Sequence, residues 1–224
     1  MKKSATRNKK SILIVDDHPM MREGLAQLIN HEPDLAVAGE AEDAGQALDA
    51  IARAVPDLVL ADISLPGKNG LELIKDIQAI QRGLPILVIS MHDESLYAER
   101  VLRAGGRGYI MKQEGGKKLM VAIRQVLSGQ IYVSEVMSAR ILEAFTGRKS
   151  EAHGSALERL TDREFEVFRL IGQGEDTRTM AGRLHLSVKT IEVHRANIKR
   201  KLEVQTSSEL IRMAVLLIES QQAG

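Results

Sequence analysis

Apolar positions along the chain follow two rhythms. Between Ser11 and Gly129, short runs of Val, Ile and Leu alternate with longer amphipathic stretches. The runs are Ser11–Val15, Leu35–Gly39, Leu58–Ala61, Ile86–Ile89 and Gly108–Met111. They are four or five residues long and bounded by Asp, Pro, Gly or Ser, as strands buried on both faces of a parallel sheet are. Between them, Met20–Asn30, Ala44–Ala54, Gly70–Ile80, Glu94–Arg103 and Gly115–Leu127 have helical length. Spacings such as Leu71, Ile74, Ile77 and Met120, Ile123, Leu127 give each stretch one apolar face. Five strand–helix pairs in succession predict an α/β domain built on a doubly wound, five-stranded parallel sheet of the flavodoxin-like kind.

From Leu157 the strand-like runs stop. Thr161–Gly172, Thr177–Leu184, Val188–Leu202 and Thr206–Glu219 read as helices of a small all-α, four-helix domain. Two of them open with capping boxes, Thr161-x-x-Glu164 and Thr206-x-x-Glu209, and Gly172 and Gly174 stand at the end of the first. Thr146–Ser155 is small, polar and charged like a tether, and Ser134–Phe145 before it has the pattern of a helix belonging to neither core. The predicted organisation is therefore a basic tail at 1–10, an α/β domain at 11–129, a linker with a helix at 130–156, and a helical domain at 157–224.

Composition removes several function classes. The 224 residues hold no Cys, which excludes disulfides, thiolate metal sites and cysteine nucleophiles. With no Trp, three Tyr and three Phe, a stacking platform for single-stranded nucleic acid is not expected. The basic start MKKSATRNKK is followed by only the five residues SILIV before Asp16, too few for a secretory signal, and no run approaches a membrane span. A cytoplasmic protein with no membrane partner is expected.

The formal charge of +1 points away from nucleic acid until it is divided. Residues 1–10 carry five basic groups and no acid, and residues 11–129 carry 12 basic against 17 acidic groups. Ser187–Leu202 alone carries five basic groups against one acid, a local +4.

In a doubly wound sheet, ligands gather outside the carboxyl ends of the strands. Asp16 and Asp17 follow the first strand, Asp62 the third, Ser90 the fourth and Lys112 the fifth. Three converging carboxylates repel unless a cation sits among them, and a few carboxylate oxygens suit Mg²⁺. Lys112 and Ser90 would complete a cradle for a phosphoryl group carried on Asp62, which stands alone in the turn Asp62–Gly67. Singly, an Asp at a strand end is more often a turn-former than a nucleophile. The whole set at successive strand ends is what points to chemistry.

In the helical region, Thr177–Leu184, the turn His185–Ser187 and the basic helix after it have the form of a helix-turn-helix. Ile191, Ile198 and Leu202 fall on one face, and Lys189, Glu192, Arg195, Ala196 and Lys199 on the other. A basic helix alone is also how a solvated bundle face looks; the short helix and turn before it favour DNA.

ILIVDDHPMMREGL, DLVLADISLPGKNGLELI, ILVISMHD and GYIMK resemble the receiver domain of two-component response regulators across residues 11–129. LTDREFEVFRLIGQG and MAGRLHLSVKTIEVHRANIKRKL resemble the LuxR-type helix-turn-helix domain. Together they resemble a NarL/FixJ-type response regulator over nearly the whole chain. The resemblance implies that Asp62 accepts a phosphoryl group from a sensor histidine kinase. It implies that Asp17, Asp62 and the Ser64 carbonyl bind Mg²⁺ directly, with Asp16 acting through water. Ser90 and Lys112 would contact the phosphoryl group, Tyr109 would be the aromatic switch, and Ser64 and His92 occupy positions that tune self-dephosphorylation. Gln113 stands where many receivers have proline. In the second domain, Glu192, Val193 and Ala196 would face base edges, and Arg178, Lys189, Arg195, Lys199 and Arg200 would hold phosphates of a double-stranded operator. A homodimer of the phosphorylated form is implied. The stripe Leu210, Met213, Ala214, Leu217 is open to two readings, a dimer contact or packing within its own domain.

The expected function is thus a DNA-binding transcription regulator controlled by phosphorylation of Asp62. No enzymatic turnover beyond its own phosphorylation and dephosphorylation is expected. A phosphatase with an Asp nucleophile would carry its acid/base Asp two residues on, where Ser64 stands. The intact set Asp16, Asp17, Asp62, Ser90 and Lys112 argues against a receiver serving only as an interaction platform, since a degenerate receiver typically loses one of these.

Overall fold

The computed structural model describes residues 9–145, 157 and 159–222, so the basic tail and the polar tether lie almost wholly outside the described residues. The chain divides into two compact units between Ile141 and Leu142.

The first unit runs β1 (Lys10–Val15), α1 (Pro19–His31), β2 (Leu35–Ala41), α2 (Ala44–Arg53), β3 (Leu58–Ala61), α3 (Gly70–Ile80), β4 (Ile86–Ser90), α4 (Glu94–Ala104), β5 (Gly108–Met111) and α5 (Gly115–Leu127), and the boundary falls within α6 (Glu135–Phe145). All strand pairs are parallel, in the order β2-β1-β3-β4-β5, the flavodoxin-like winding expected from the alternation. Alternate strand residues supply the two faces. Ile12, Ile14, Leu58, Leu60, Leu87, Ile89 and Ile110 pack with Leu25 and Ile29 of α1 and Leu119 and Ile123 of α5. The intervening Leu13, Val15, Val59, Ala61 and Val88 are equally buried on the opposite face. Each fully buried Leu, Ile or Val stabilises by roughly 1.5–3 kcal/mol relative to exposure, so the central strands fix the register strongly. That register pairs Val15 with Ala61, and one residue further on Asp16 and Asp62 leave the sheet side by side.

Local chemistry sets the helix starts. Asp43 and Asp93 cap α2 and α4, and Asn69 forms a capping box with Glu72 at α3, a box the sequence reading passed over. Gly105 ends α4 in the left-handed conformation that a side chain would resist. The helix expected in the linker forms as α6, with the Ser134 hydroxyl accepting from the Met137 amide. One pairing was not anticipated. The Tyr132 amide donates to the Arg107 carbonyl at 3.0 Å, and the Tyr109 amide to the Tyr132 carbonyl at 2.9 Å, so the start of the linker is stitched to the outer edge of β5.

The second unit contains α7 (Asp162–Gly172), α8 (Thr177–Arg183), α9 (Val188–Lys201) and α10 (Ser207–Gln222). Both predicted capping boxes form, Thr161 with Glu164 and Thr206 with Glu209. Gly174, at φ +79°, turns the chain after α7, while Gly172 remains inside the helix. Phe165, Phe168 and Ile171 of α7, Met180 of α8, Ile191 and Ile198 of α9, and Leu210 and Ala214 of α10 form the core. Among the described residues no helix is long and apolar enough to cross a membrane.

Candidate functional site

Asp16, Asp62 and Lys112 meet at the carboxyl edge of the sheet. Asp16 is fully buried and Asp62 nearly so. Lys112 opens a short helical turn after β5 and sends Nζ between them, donating to Asp16 Oδ2 at 2.6 Å and to Asp62 Oδ2 at 2.8 Å. The second Asp62 oxygen accepts from the Ser64 amide at 3.2 Å, and the second Asp16 oxygen from the His18 amide at 2.9 Å. Burial pushes the Asp62 carboxyl above the usual carboxylate range; Lys112 pulls it back and the Asp16 charge pushes it further up. Burial also opposes the Lys112 charge, but Asp62 and Asp16 outweigh it and the ammonium is held above its ordinary value.

Asp17 is a third exposed, and one ligand atom from each of Asp16, Asp17, His18 and Asp62 lies within 4.8 Å of the others. Asp17 Oδ1 is buried and, although 2.7 Å from His18 Nδ1, accepts no aligned hydrogen bond. An acceptor left without a donor beside two further carboxylates fits a hard divalent cation with oxygen ligands. The acidic cluster is thus compatible with Mg²⁺.

Two loops close over Asp62. Ser64 Oγ and His92 Nε2 lie 3.0 Å apart, linking the β3–α3 and β4–α4 loops, and the His92 ring stacks on Tyr97 with centroids 5.3 Å apart. Ser90 is fully buried and its hydroxyl accepts from the His92 amide at 3.2 Å. Tyr109 is turned inward, 1% exposed, and its hydroxyl donates to the His92 carbonyl at 2.8 Å. Burial holds that phenol above its ordinary range, so it stays a donor at any physiological pH. The same residue holds the linker through its backbone, and Glu94 at the start of α4 accepts from the Ser134 amide at 2.8 Å.

Three features escaped sequence reading because they depend on distant elements. Gly70 packs against the Asp62 backbone, Arg22 reaches the Asp16 carbonyl, and Tyr132 pairs with β5. Each residue could be seen in the sequence, yet no periodicity marks it.

In the second unit, Asp176 caps α8 by accepting from the Arg178 and Thr179 amides, and Ser187 caps α9 by accepting from Thr190. Between them His185 takes φ +52°, an unusual value for a residue with a side chain, and the Leu186 amide donates to the Ala181 carbonyl at 2.9 Å. Arg163 of α7 braces this turn by donating to the Leu184 carbonyl. Lys189, Glu192, Val193, Ala196, Arg200 and, on α8, Arg178 are exposed, while Arg195 and Lys199 are half-buried. Lys201 faces inward instead, donating to Glu164 at 2.6 Å, so one of the five basic groups of this segment serves the fold. In the α10 stripe, Leu210 and Ala214 are fully buried, which favours packing within the domain; the Leu217 side chain lies outside the described residues.

Comparison with known proteins agrees with both halves. The response regulator receiver domain family matches residues 12–124, and the luxR family of bacterial regulatory proteins matches residues 158–214. The chain is similar to the oxygen regulatory protein NreC of Staphylococcus haemolyticus, 32% identical over 91% of this chain and 96% of that one. It is 29% identical to the transcriptional regulatory protein DegU of Brevibacillus brevis over 94% and 95% of the two chains. Among solved structures, a LuxR-family response regulator from Aurantimonas sp. SI85-9A1 superposes with a TM-score of 0.58 at 35% identity, covering 62% of this chain and 99% of that one. RcsB from Salmonella enterica serovar Typhimurium, bound to promoter rprA with the phosphomimetic BeF₃⁻, gives a TM-score of 0.62 at 26% identity over 93% and 99%. The chain belongs to the two-component response regulators that join a receiver domain to a LuxR-type DNA-binding domain.

Proposed function

We propose that this protein is a cytoplasmic transcription regulator whose binding to double-stranded DNA is switched by transfer of a phosphoryl group from a sensor histidine kinase to Asp62. The carrying observation is the convergence of Asp62, Asp16 and Lys112 through two short hydrogen bonds, beside the unsatisfied Asp17 oxygen. In the transfer an Asp62 oxygen bonds to phosphorus, the P–N bond to the kinase histidine breaks, and the imidazole leaves. Phosphoryl transfer needs mostly positioning and charge neutralisation. Asp17, Asp62 and the Ser64 carbonyl would hold Mg²⁺, with Asp16 acting through water. When bound, the metal neutralises charge on the transferring phosphoryl oxygens. Lys112 supplies a further positive charge from its place between the two carboxylates.

The Ser90 hydroxyl and the Lys112 ammonium then hold the phosphoryl oxygens. Ser90 carries the His92 amide with it, and the His92 carbonyl holds Tyr109, so the site, the β4–α4 loop and the switch tyrosine move together. Tyr109 and Glu94 hold the linker, which gives the change a route toward the DNA-binding domain. A segment with two arrangements, biased by added charge, is the physical content of the switch.

On the DNA, α9 would enter the major groove with Glu192, Val193 and Ala196 toward base edges. Lys189, Arg195, Lys199, Arg200 and Arg178 would hold phosphates, the division by which register and specificity are set. One such module reads few base pairs, so a homodimer on paired half-sites is the expected active form. The RcsB structures bound to DNA, two dimers among them, support that arrangement.

The test is DNA binding and sedimentation of the full chain with and without beryllofluoride, beside the Asp62→Asn variant. Phosphorylation-dependent binding of wild type, absent in Asp62→Asn, is expected. Equal binding by both would sink the switch.

A further inference from the structure

Arg22 is the one arginine of the first unit among the described residues that is buried, with its side chain 9% exposed. From the first turns of α1 it crosses the ends of β1 and β2 and meets three oxygens on separate groups. Nη1 donates to the Asp16 carbonyl at 2.6 Å, Nη2 to Glu42 Oε1 at 2.9 Å, and Nε lies 3.6 Å from Glu40 Oε2. The two glutamates are well exposed, at 44% and 59%. Exposed ion pairs of this kind contribute little, and drawing a guanidinium out of water is costly. The glutamates alone therefore do not account for the burial. The Asp16 carbonyl does, because it lies inside the end of the sheet, where the backbone turns out of β1 and the Asp16 amide still donates to Ala41. The carbonyl belongs to the peptide joining Asp16 to Asp17, so whatever fixes it fixes the direction in which both carboxylates leave the chain.

We infer that Arg22 is a positioning residue for the phosphoryl-accepting pocket: its guanidinium, anchored on Glu42, clamps the Asp16–Asp17 peptide. This rests on the reading of the pocket given above and deepens it. The hydrogen bonds of Arg22 go to the Asp16 backbone and to Glu42, not to the side chains of Asp16, Asp17 or Asp62. Its planar fork reaches the carbonyl and Glu42 together, whereas a lysine at this position offers one compact ammonium and serves one of them. Loss of an outer partner of a metal site generally weakens metal binding 10- to 100-fold.

The experiment is calorimetric titration of Mg²⁺ into metal-free full-length protein, since the chain has no tryptophan to report binding. Wild type, Arg22→Met, Arg22→Lys and Glu42→Gln are compared, each also melted in EDTA. The expected result is a Mg²⁺ dissociation constant raised 10-fold or more in Arg22→Met, with Arg22→Lys and Glu42→Gln between it and wild type. A merely structural arginine gives a lower melting temperature with unchanged Mg²⁺ affinity, and that result overturns the inference. Tighter Mg²⁺ binding by Arg22→Met also overturns it, because the guanidinium would then be a competing charge. Should Arg22→Met not fold, Arg22→Lys and Glu42→Gln decide the matter by the same ratio of affinity to melting. Wild type that binds no Mg²⁺ and takes no phosphoryl group from acetyl phosphate would instead bring down the reading of the pocket, and this inference with it.

Discussion

Gly70 is where a single methyl group should uncouple Asp62 from its fold. It opens α3 directly after the fully buried Asn69, and its amide donates to the Ile63 carbonyl at 2.8 Å. A Cβ added there would fall on the Asp62 carbonyl oxygen and 2.8 Å from the Ile63 Cα. Both neighbours are backbone, so no side chain can swing aside. Restoring ordinary contact requires the β3–α3 loop or the start of α3 to move by about 1 Å, against the capping box on one side and the sheet on the other. Overpacking of this kind costs roughly 1–3 kcal/mol, and a rigid backbone partner places Gly70→Ala near the upper end. For a domain of about 120 residues that is a fall in melting temperature of roughly 8–12 °C. A 1 Å displacement of a reacting group can slow transfer by about 10²-fold, so phosphorylation by acetyl phosphate should fall even well below the melting point. Calorimetry and a phosphate-affinity gel read the two effects separately. Wild-type melting together with wild-type phosphorylation in Gly70→Ala would falsify the close-packing argument.

Other outcomes follow from the same geometry. Lys199→Ala should weaken binding to all DNA sequences and reduce the slope of log affinity against log salt by about 0.9, the value for one phosphate contact, as read in a salt titration; an unchanged slope removes Lys199 from the interface. Val193→Ala should instead alter preference among selected sequences with the slope retained, and a uniform loss across sequences would contradict its base-facing role. Glu164 is buried, which raises its pKa, but Lys201 and the Thr161 cap outweigh this and hold it below the ordinary glutamate value of 4.5. It therefore stabilises the helical domain above about pH 4.5, and the stabilisation is lost as pH falls through the lowered folded value. Melting of Glu164→Gln should be flatter than wild type in that acid range, and parallel curves would refute the pairing. Glu94→Ala frees the Ser134 amide, so exchange at Ser134 should quicken and the DNA response to beryllofluoride should shrink while Asp62 phosphorylation keeps its rate. A full DNA response in that variant would exclude Glu94 from the route.

The parts of the molecule legible in the sequence are those written in local spacing. Runs such as Leu58–Ala61 gave the strands because burial on both faces leaves no polar alternation, and Thr161-x-x-Glu164 announced its helix because the cap is closed within four residues. The pocket was legible for the same reason once its topology was assumed: Asp16, Asp62, Ser90 and Lys112 each stand at the end of an apolar run. What stayed hidden depends on separation. Arg22 meets Glu42 across 20 positions, and Gly108 accommodates Tyr132, whose carbonyl an added Cβ would approach at 2.8 Å. Such residues look interchangeable in sequence, an arginine on an amphipathic helix or a glycine opening a strand, because the group that constrains them arrives from elsewhere in the fold.

Charge shows the same dependence on distance. A total of +1 and a recognition segment of +4 are both correct sums, yet neither says which charges face outward. The fold divides the cations by partner. Lys112 is held by Asp16 and Asp62, Lys201 by Glu164, and Arg22 by a carbonyl and Glu42. Lys189, Arg178 and Arg200 remain exposed on the helix-turn-helix. A half-buried cation already paired at 2.6 Å with a buried carboxylate loses that partner before it can hold a phosphate, so it contributes little to DNA affinity. Lys201→Met should accordingly lower the melting temperature of the helical domain while leaving the salt slope of DNA binding where it was. Lys199→Ala, two residues earlier on the same helix, should do the reverse.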